Sequence, residues 1–400
     1  MYFDGPGGTQ VPQLVIDAVS KYYTKYNSNT GGAFATSEHT DAVIASARAA
    51  IADFFNAPSP EQIIFGANMT SLTFHLSRSI ARELQPGDEI ILTRLDHDAN
   101  ISPWLALQER GAVIRFVDVK LDDMTLDYEH FEQLLSSKTR LVAVGYASNA
   151  VGTINDVARI VRLAHQVGAW VYVDAVHYAP HAPIDVQQLD CDFLVASAYK
   201  FFGPHLGVLY GKTEVLEPLT SYKVRPQDEQ PPGKFETGTL NHEGLAGTTA
   251  AIDYLSEIGK LSESGSGELT STYDGRRLLL KRAMTAIQQY EMACSAMLIV
   301  ELQKLSGMKL YGISEQPRYA WRTPTVGFRM ASHSPREITE KLASENIYTW
   351  DGHFYALEVI RGLGLEDQGG VVRVGLVHYN TEDEIERLIR VLDKLQTRKL

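Results

Sequence analysis

The sequence predicts an α/β protein, with a mainly parallel sheet in a large domain over residues 15–260 and a smaller α+β domain over 261–400. Three observations carry this. Short apolar runs alternate with amphipathic stretches from about residue 61 onward. Most of those runs are rich in Val and Ile and apolar on both faces, as strands covered by helices on each side must be. Finally, 400 residues exceed what one simple core serves, and the alternation gives way to long helical stretches near residue 240.

In chain order, the strand candidates are 62–65, 89–92, 113–117, 141–144, 170–173, 193–196 and 207–210. One helix is expected from Thr70 to about Leu84, with Leu72, Leu76 and Ile80 inward and a stop at Pro86-Gly87. In another, Val157, Ile160, Val161, Ala164 and Val167 mark one face, and Gly168 ends it. Right-handed crossovers between such units give a doubly wound domain. Beyond residue 240, helices are expected over 244–258 and 273–305, separated by the polar SESGSGE stretch. Strands at 326–330 and 371–376 and helices at 335–345 and 382–396 follow.

Composition narrows the function. Hydrophobic residues make up 44 % and charged residues 22 %, and the net charge of −12 argues against a main role on nucleic acid or an anionic membrane. Only Cys191 and Cys294 are present, which excludes a disulfide framework and disfavours a thiolate zinc site. The opening MYFDGPGGTQVPQLV lacks the basic and apolar runs of a signal peptide, and no stretch approaches a membrane span. A cytoplasmic protein is expected.

In open α/β sheets, ligands sit outside the carboxyl ends of the strands. Polar residues cluster where those ends are expected: GANMTS, RLDHDAN, YASNAVG, Asp174 with His177, and Ser197 with Tyr199 and Lys200. These groups suit pyridoxal 5′-phosphate (PLP). Lys200 can hold the aldehyde as a Schiff base, and Asp174 can keep the pyridine nitrogen protonated. The helix opened by Asn68, Met69 and Thr70 can offer backbone N–H groups to the phosphate. His97 can stack on the ring, Asn149 can donate to the phenolic oxygen, and His177 is near enough to Asp174 to join it.

At these residues the chain resembles the class V aminotransferase family of fold-type I PLP enzymes, the cysteine desulfurase-like group, over nearly its whole length. The most specific piece is VDAVHYAPHAPIDVQQLDCDFLVASAYKFFGPHLGVLYG, which places Asp174, His177, Ser197 and Lys200 at the family's pyridinium partner, phenolic-oxygen contact, phosphate ligand and Schiff-base lysine. The family usually has His before that lysine; here it is Tyr199, whose phenol can still donate to phosphate. RLDHDANISPW is similar to the stacking-histidine motif, with His97 and Asn100. FETGTLNHEG implies that Thr239 reaches the phosphate of a partner subunit, hence a homodimer with shared active sites. VVRVGLVHYNTEDEIERLI implies that Arg373 clamps the substrate carboxylate through a bidentate fork. FDGPGG, ending at Gly8, resembles the N-terminal segment that borders the substrate, so residues 1–14 are set apart from the large domain.

One departure limits the activity. The family's desulfurases carry a nucleophilic Cys on a loop before the arginine, whereas YTWDGHFYALEVI has Tyr355 near that place and no Cys. A phenol cannot supply the thiolate that a persulfide needs. The expectation is therefore a PLP enzyme acting on a small amino acid, by C–S cleavage or β-elimination without an enzyme persulfide, with Lys200 as acid/base and Tyr355 on a substrate-facing wall. Transamination with a 2-oxo acid and epimerisation stay open, the latter needing a second base from His97, His353 or Tyr355. A non-catalytic scaffold is the remaining reading, and it has no use for Lys200, Asp174, His97 and Arg373 together.

Bland readings compete at several positions. His97 can cap a turn, Asp174 can cap a helix, and Arg373 can serve a salt bridge. Thr239 can be a plain turn residue, and Tyr199 can pack in the core. His177 and His181, four apart, suit a metal only on a continuous helix, which Pro180 and Pro183 interrupt. Cys191 and Cys294 read as small core hydrophobes.

Overall fold

A computed structural model describes residues 1–263 and 267–396 of the chain. Its larger sheet has seven strands: β1 (Ile63–Gly66), β2 (Glu89–Thr93), β3 (Val113–Val117), β6 (Thr139–Gly145), β7 (Trp170–Asp174), β8 (Phe193–Ser197) and β9 (Gly207–Gly211). Between β3 and β6 lies a small hairpin, β4 (Val119–Lys120) with β5 (Thr125–Leu126). The sheet order is β1-β9-β8-β7-β6-β2-β3. Neighbours run parallel from β3 to β8, and β9 is antiparallel to both β8 and β1. One reversed strand thus leaves all the others pointing the same way, so their carboxyl ends share one edge.

Two apolar clusters sandwich this sheet. The alternating faces of β6 show the division: Val142 and Val144 join one cluster, Leu141 and Ala143 the other. Helix α3 (Met69–Ile80) covers the second face through Leu72, Leu76 and Ile80, as its 3–4 spacing requires. The helix Val157–Gln166 covers the first with Val157, Ile160, Val161 and Ala164.

The second sheet is antiparallel, in the order β10 (Met308–Tyr311), β11 (Thr325–Met330), β13 (Val371–Gly375), β12 (Trp350–Gly352). The sequence reading found β11 and β13, both fully or nearly buried, but not β10 or β12. Those two are short and partly exposed, so hydrophobic pattern does not reveal them. It also passed over α1 (Gln13–Lys25) and α2 (Ala35–Phe55), which precede the first strand. Both pack against the helix His242–Leu261, which is three residues longer at its C-terminal end than the 244–258 expectation. The three central residues of SESGSGE lie outside the described residues.

The helix Gly275–Lys304 runs through both cores. Leu280, Met284 and Ile287 belong to the large-sheet cluster, whereas Cys294, Leu298, Ile299 and Leu302 belong to the cluster over the second sheet. We propose that the boundary between the two domains falls inside this helix, later than residue 260. No helix among the described residues is long and apolar enough to cross a membrane.

The crossing of this helix with His242–Leu261 depends on Gly259. A Cβ there would stand 2.0 Å from the Leu279 carbonyl oxygen. Gly259→Ala is expected to destabilise the protein by about 1–3 kcal/mol through overpacking, despite the better helix propensity of Ala. Denaturant unfolding measures it.

Candidate active site

The common edge of the sheet opens into a cavity of about 330 Å³, within the range of small-molecule sites. Nearly every strand end delivers one group to it. After β1 come Asn68, Met69 and Thr70; after β2, Asp96 and His97; after β6, Ala147 and Asn149; at the end of β7, Asp174 and then His177; at the end of β8, Ser197, Tyr199 and Lys200. The second sheet and its loops add Trp350, Phe354, Tyr355 and Arg373, and the N-terminal turn adds Asp4, Pro6 and Gly7.

Close backbone approach builds the cavity floor. The Asn68 side chain caps α3 by accepting from Ser71 N–H at 2.9 Å, which leaves the Met69 and Thr70 amides of the first turn without an intrahelical acceptor, and both residues line the cavity. This helix start rests on β9, where a Cβ on Gly207 would lie 2.4 Å from the Asn68 carbonyl carbon. Gly145 gives similar room to Asp96, whose carboxylate accepts from the Gly145 amide and from Asn100 Nδ2 at 3.3 Å.

Charges held away from water set the electrostatics. Burial pushes Asp174 up to about 6, against the Val176 N–H that donates to its Oδ1 at 2.9 Å and the nearby Lys200 charge. Burial brings Lys200 down to about 7, helped by Arg373 and opposed by Asp4 and Asp174. Its amine donates to the Pro6 carbonyl. Asp96 rises well above the carboxylate range through burial and the proximity of Asp174. His97 falls to about 4 through burial and the Lys200 charge. The His97 imidazole is therefore neutral at pH 7. Its Nδ1 accepts from Ala99 N–H at 3.0 Å, which puts the proton on Nε2.

The structure gathers Met69, Thr70, His97, Asn149, Asp174, His177, Ser197, Tyr199, Lys200, Tyr355 and Arg373 around this one cavity. Thr239 is not among them: it is exposed, in a separate surface depression with Arg48 and Glu236. Gly8 also falls short. The chain turns at Gly5–Gly7, so Pro6 and Gly7 face the cavity while the Gly8 Cβ position meets the Tyr199 ring at 3.2 Å.

Several residues are already committed. Asn149 Nδ2 donates to the Phe354 carbonyl at 2.8 Å, so only its second N–H is left for a ring oxygen, and its Oδ1 is buried without a partner. The Arg373 fork, expected open, is occupied by Asp4 at 2.8 Å and the Asn149 carbonyl at 3.1 Å. His177 Nε2 pairs with Thr323 Oγ1 at 3.1 Å. His97 stacks on Tyr355, ring centroids 5.3 Å apart. His97 also caps a short turn, as the bland reading has it.

The sequence reading missed Asp4, Asp96, Pro6 and Phe354. Asp96 adjoins His97 in RLDHDAN and was legible there; Asp4 acts across 369 residues of chain and was not. His181 pairs with the buried Glu291 at 2.8 Å, and no metal-binding group of three His, Cys, Asp or Glu occurs among the described residues. Cys191 and Cys294 are buried in separate cores, and neither lines the cavity.

The residues present fit PLP. A lysine amine and a carboxylate close enough to shift one another share a cavity of suitable size with a helix start. A partnerless amide oxygen points to a polar occupant as well.

The lowered Lys200 value has a thermodynamic sign. Between about 7 and 10.5 the unfolded chain holds the lysine proton and the folded one does not, so in this window stability rises with pH. In cofactor-free protein, Lys200→Met is expected to remove a positive slope of at most about 1.4 kcal/mol per pH unit. Chemical unfolding of both proteins from pH 7 to 10 measures the difference.

Comparison with known proteins agrees with this geometry. The family model for aminotransferase class-V matches residues 1–279 and 269–388. A probable cysteine desulfurase of Mycolicibacterium paratuberculosis is 33 % identical over 99 % of this chain, which spans 55 % of that relative's length. An aminotransferase-like protein of Gibberella zeae is 34 % identical over 98 % of this chain and 94 % of its own. The apo structure of a cysteine desulfurase from Thermococcus onnurineus superposes with a TM-score of 0.85 at 27 % identity, covering 99 % of this chain and 94 % of that one. The chain thus belongs to the aminotransferase class-V family, a family of PLP-dependent enzymes.

Proposed function

We propose that this protein is a PLP-dependent lyase that removes a β-substituent, such as sulfur, from a small amino acid without forming an enzyme persulfide. The observation that carries this reading is the cavity itself. It brings Lys200, Asp174, His97 and the start of α3 together, and no cysteine lines it. Burial raises the thiol pKa of both cysteines, which further removes them from nucleophilic work.

When bound, PLP supplies an electron sink that makes the substrate's Cα–H acidic. The chain's own residues supply the rest. Lys200 would carry the cofactor aldehyde, and Asp174 would hold the proton on the pyridine nitrogen. The Met69 and Thr70 amides, with Ser197 and Tyr199, would hold the phosphate. The neutral His97 ring would stack on the cofactor. His177 and the second Asn149 N–H would face the phenolic oxygen. A Lys200 amine poised near pH 7 is partly free base at neutral pH, suited to taking the Cα proton. Arg373 would receive the substrate carboxylate, and Tyr355, 64 % exposed at the cavity mouth, would border the leaving group. The exposed position of Thr239, away from its own cavity, supports a homodimer in which it serves the partner's site.

Incubating the PLP-loaded protein with L-cysteine or β-chloro-L-alanine is expected to yield pyruvate and ammonia. Amino transfer to a 2-oxo acid, inversion at Cα, or cofactor binding without any turnover would each overturn the lyase reading. Lys200→Ala is expected to abolish the cofactor's visible band and cut turnover more than about 100-fold, read by absorbance and product assay.

A further inference from the structure

Arg373 sits on β13 at 4 % exposure, with its charge already met. Nη2 donates to Asp4 Oδ1 at 2.8 Å and Nη1 to the Asn149 carbonyl, while the Phe354 ring centre lies 4.2 Å from the guanidinium carbon. The Nε–H is buried with no partner. This is a half-made fork. A carboxylate placed for stability takes two parallel N–H bonds from one guanidinium edge, but Asp4 takes one and leaves the next donor bare, at the cost of its desolvation. Buried ion pairs are in any case weak stabilisers, so fold stability alone does not account for the arrangement.

The segment carrying Asp4 is fitted around that carboxylate. Phe3 accepts from Gly375 N–H at 2.8 Å, which lays the N-terminus along β13. The Gly7 and Gly8 amides both donate to the Asp4 carbonyl. A Cβ on Gly7 would stand 2.1 Å from Asp4 Oδ2, so a side chain at this position would push the carboxylate from its place. Pro6, in the same turn, accepts from the Lys200 amine. One short turn therefore touches both cations of the cavity.

We propose that Asp4 is a specificity-determining residue that stands in for the substrate's carboxylate. Asp4 holds Arg373 in the substrate-free protein, and a ligand reaches the guanidinium only by offering a carboxylate that takes Nε and Nη2 together. This rests on the reading of Arg373 as the carboxylate partner. Charge is conserved in the exchange: the guanidinium trades one carboxylate for another, and the Asp4 carboxylate turns out toward water beside the exposed Gly7. An amine without a carboxylate cannot make the trade and leaves the Asp4–Arg373 pair intact. The site thereby selects amino acids over simple amines.

The test titrates PLP-loaded protein with L-alanine and with L-alaninamide, following the cofactor absorbance. Asp4→Asn is expected to lower the apparent Kd for L-alanine by about 10-fold, since it raises the fraction of protein whose arginine is accessible. The value for L-alaninamide is expected to shift by less than about 2-fold. A second arm needs no variant. In the wild-type protein, saturating L-alanine should speed amide exchange at Gly7 and Gly8, whereas L-alaninamide should not. Weaker L-alanine binding by Asp4→Asn, or Gly7 and Gly8 exchange unmoved by L-alanine, overturns the proposal and makes Asp4 a brace for Arg373. A normal cofactor band that responds to neither ligand is a different failure: it removes the amino-acid reading of the cavity and this proposal with it.

Discussion

The arrangement depends on holding an amine and a carboxylate out of water at adjacent strand ends. Lys200 and Asp174 each stand where burial penalises the charged form, and each is partly relieved by the other. Neither shift alone is unusual for a buried group. Together they leave a lysine that loses its proton near neutrality beside a carboxyl that keeps one up to about pH 6. The sheet makes this possible because β7 and β8 run parallel, so that Asp174 and Ser197–Lys200 emerge on one edge. An antiparallel pair would have sent them to opposite ends.

The same edge needs backbone to come unusually near backbone. Gly207 lets the start of α3 rest on β9, and Gly145 lets Asp96 reach in between strands. The reversed direction of β9 matters here, since it presents its first residue, rather than its last, beneath the helix start. A glycine at the opening of that strand is therefore a condition for the placement of the helix start, although it carries no chemistry of its own.

The large sheet was legible because parallel strands buried on both faces write continuous apolar runs. The polar residues after those runs then pointed to the cavity from five directions. What was not legible has physical reasons. β12 is three residues long and carries the exposed Trp350, so neither length nor pattern marks it as a strand; its pairing with β13, Trp350 opposite Arg373, makes it one. Helices α1 and α2 escaped because the alternation begins only at about residue 61, and the buried face of α2 is largely Ala, Ser and Thr rather than large apolar residues. Asp4 is the deeper omission. Nothing local distinguishes a carboxylate in FDGPGG, and its importance comes entirely from Arg373, at the other end of the chain.

That long-range pair also bears on which departures from the family pattern matter. The loop before Arg373 brings the Tyr355 phenol to the cavity, and the backbone holds that phenol in place. Phe354 and Tyr355 both adopt left-handed conformations, with φ of 51° and 59°, uncommon for bulky residues and costly unless the surroundings impose them. The surroundings do: Asp98 N–H donates to the Tyr355 carbonyl at 2.7 Å, Asn149 to the Phe354 carbonyl, and His353 Nδ1 accepts from the Tyr355 amide at 3.0 Å. A loop that only closed the surface would have no reason to retain two strained aromatics. Here the strain aims Phe354 at the Arg373 guanidinium and Tyr355 at His97, so the backbone itself orders this wall of the cavity.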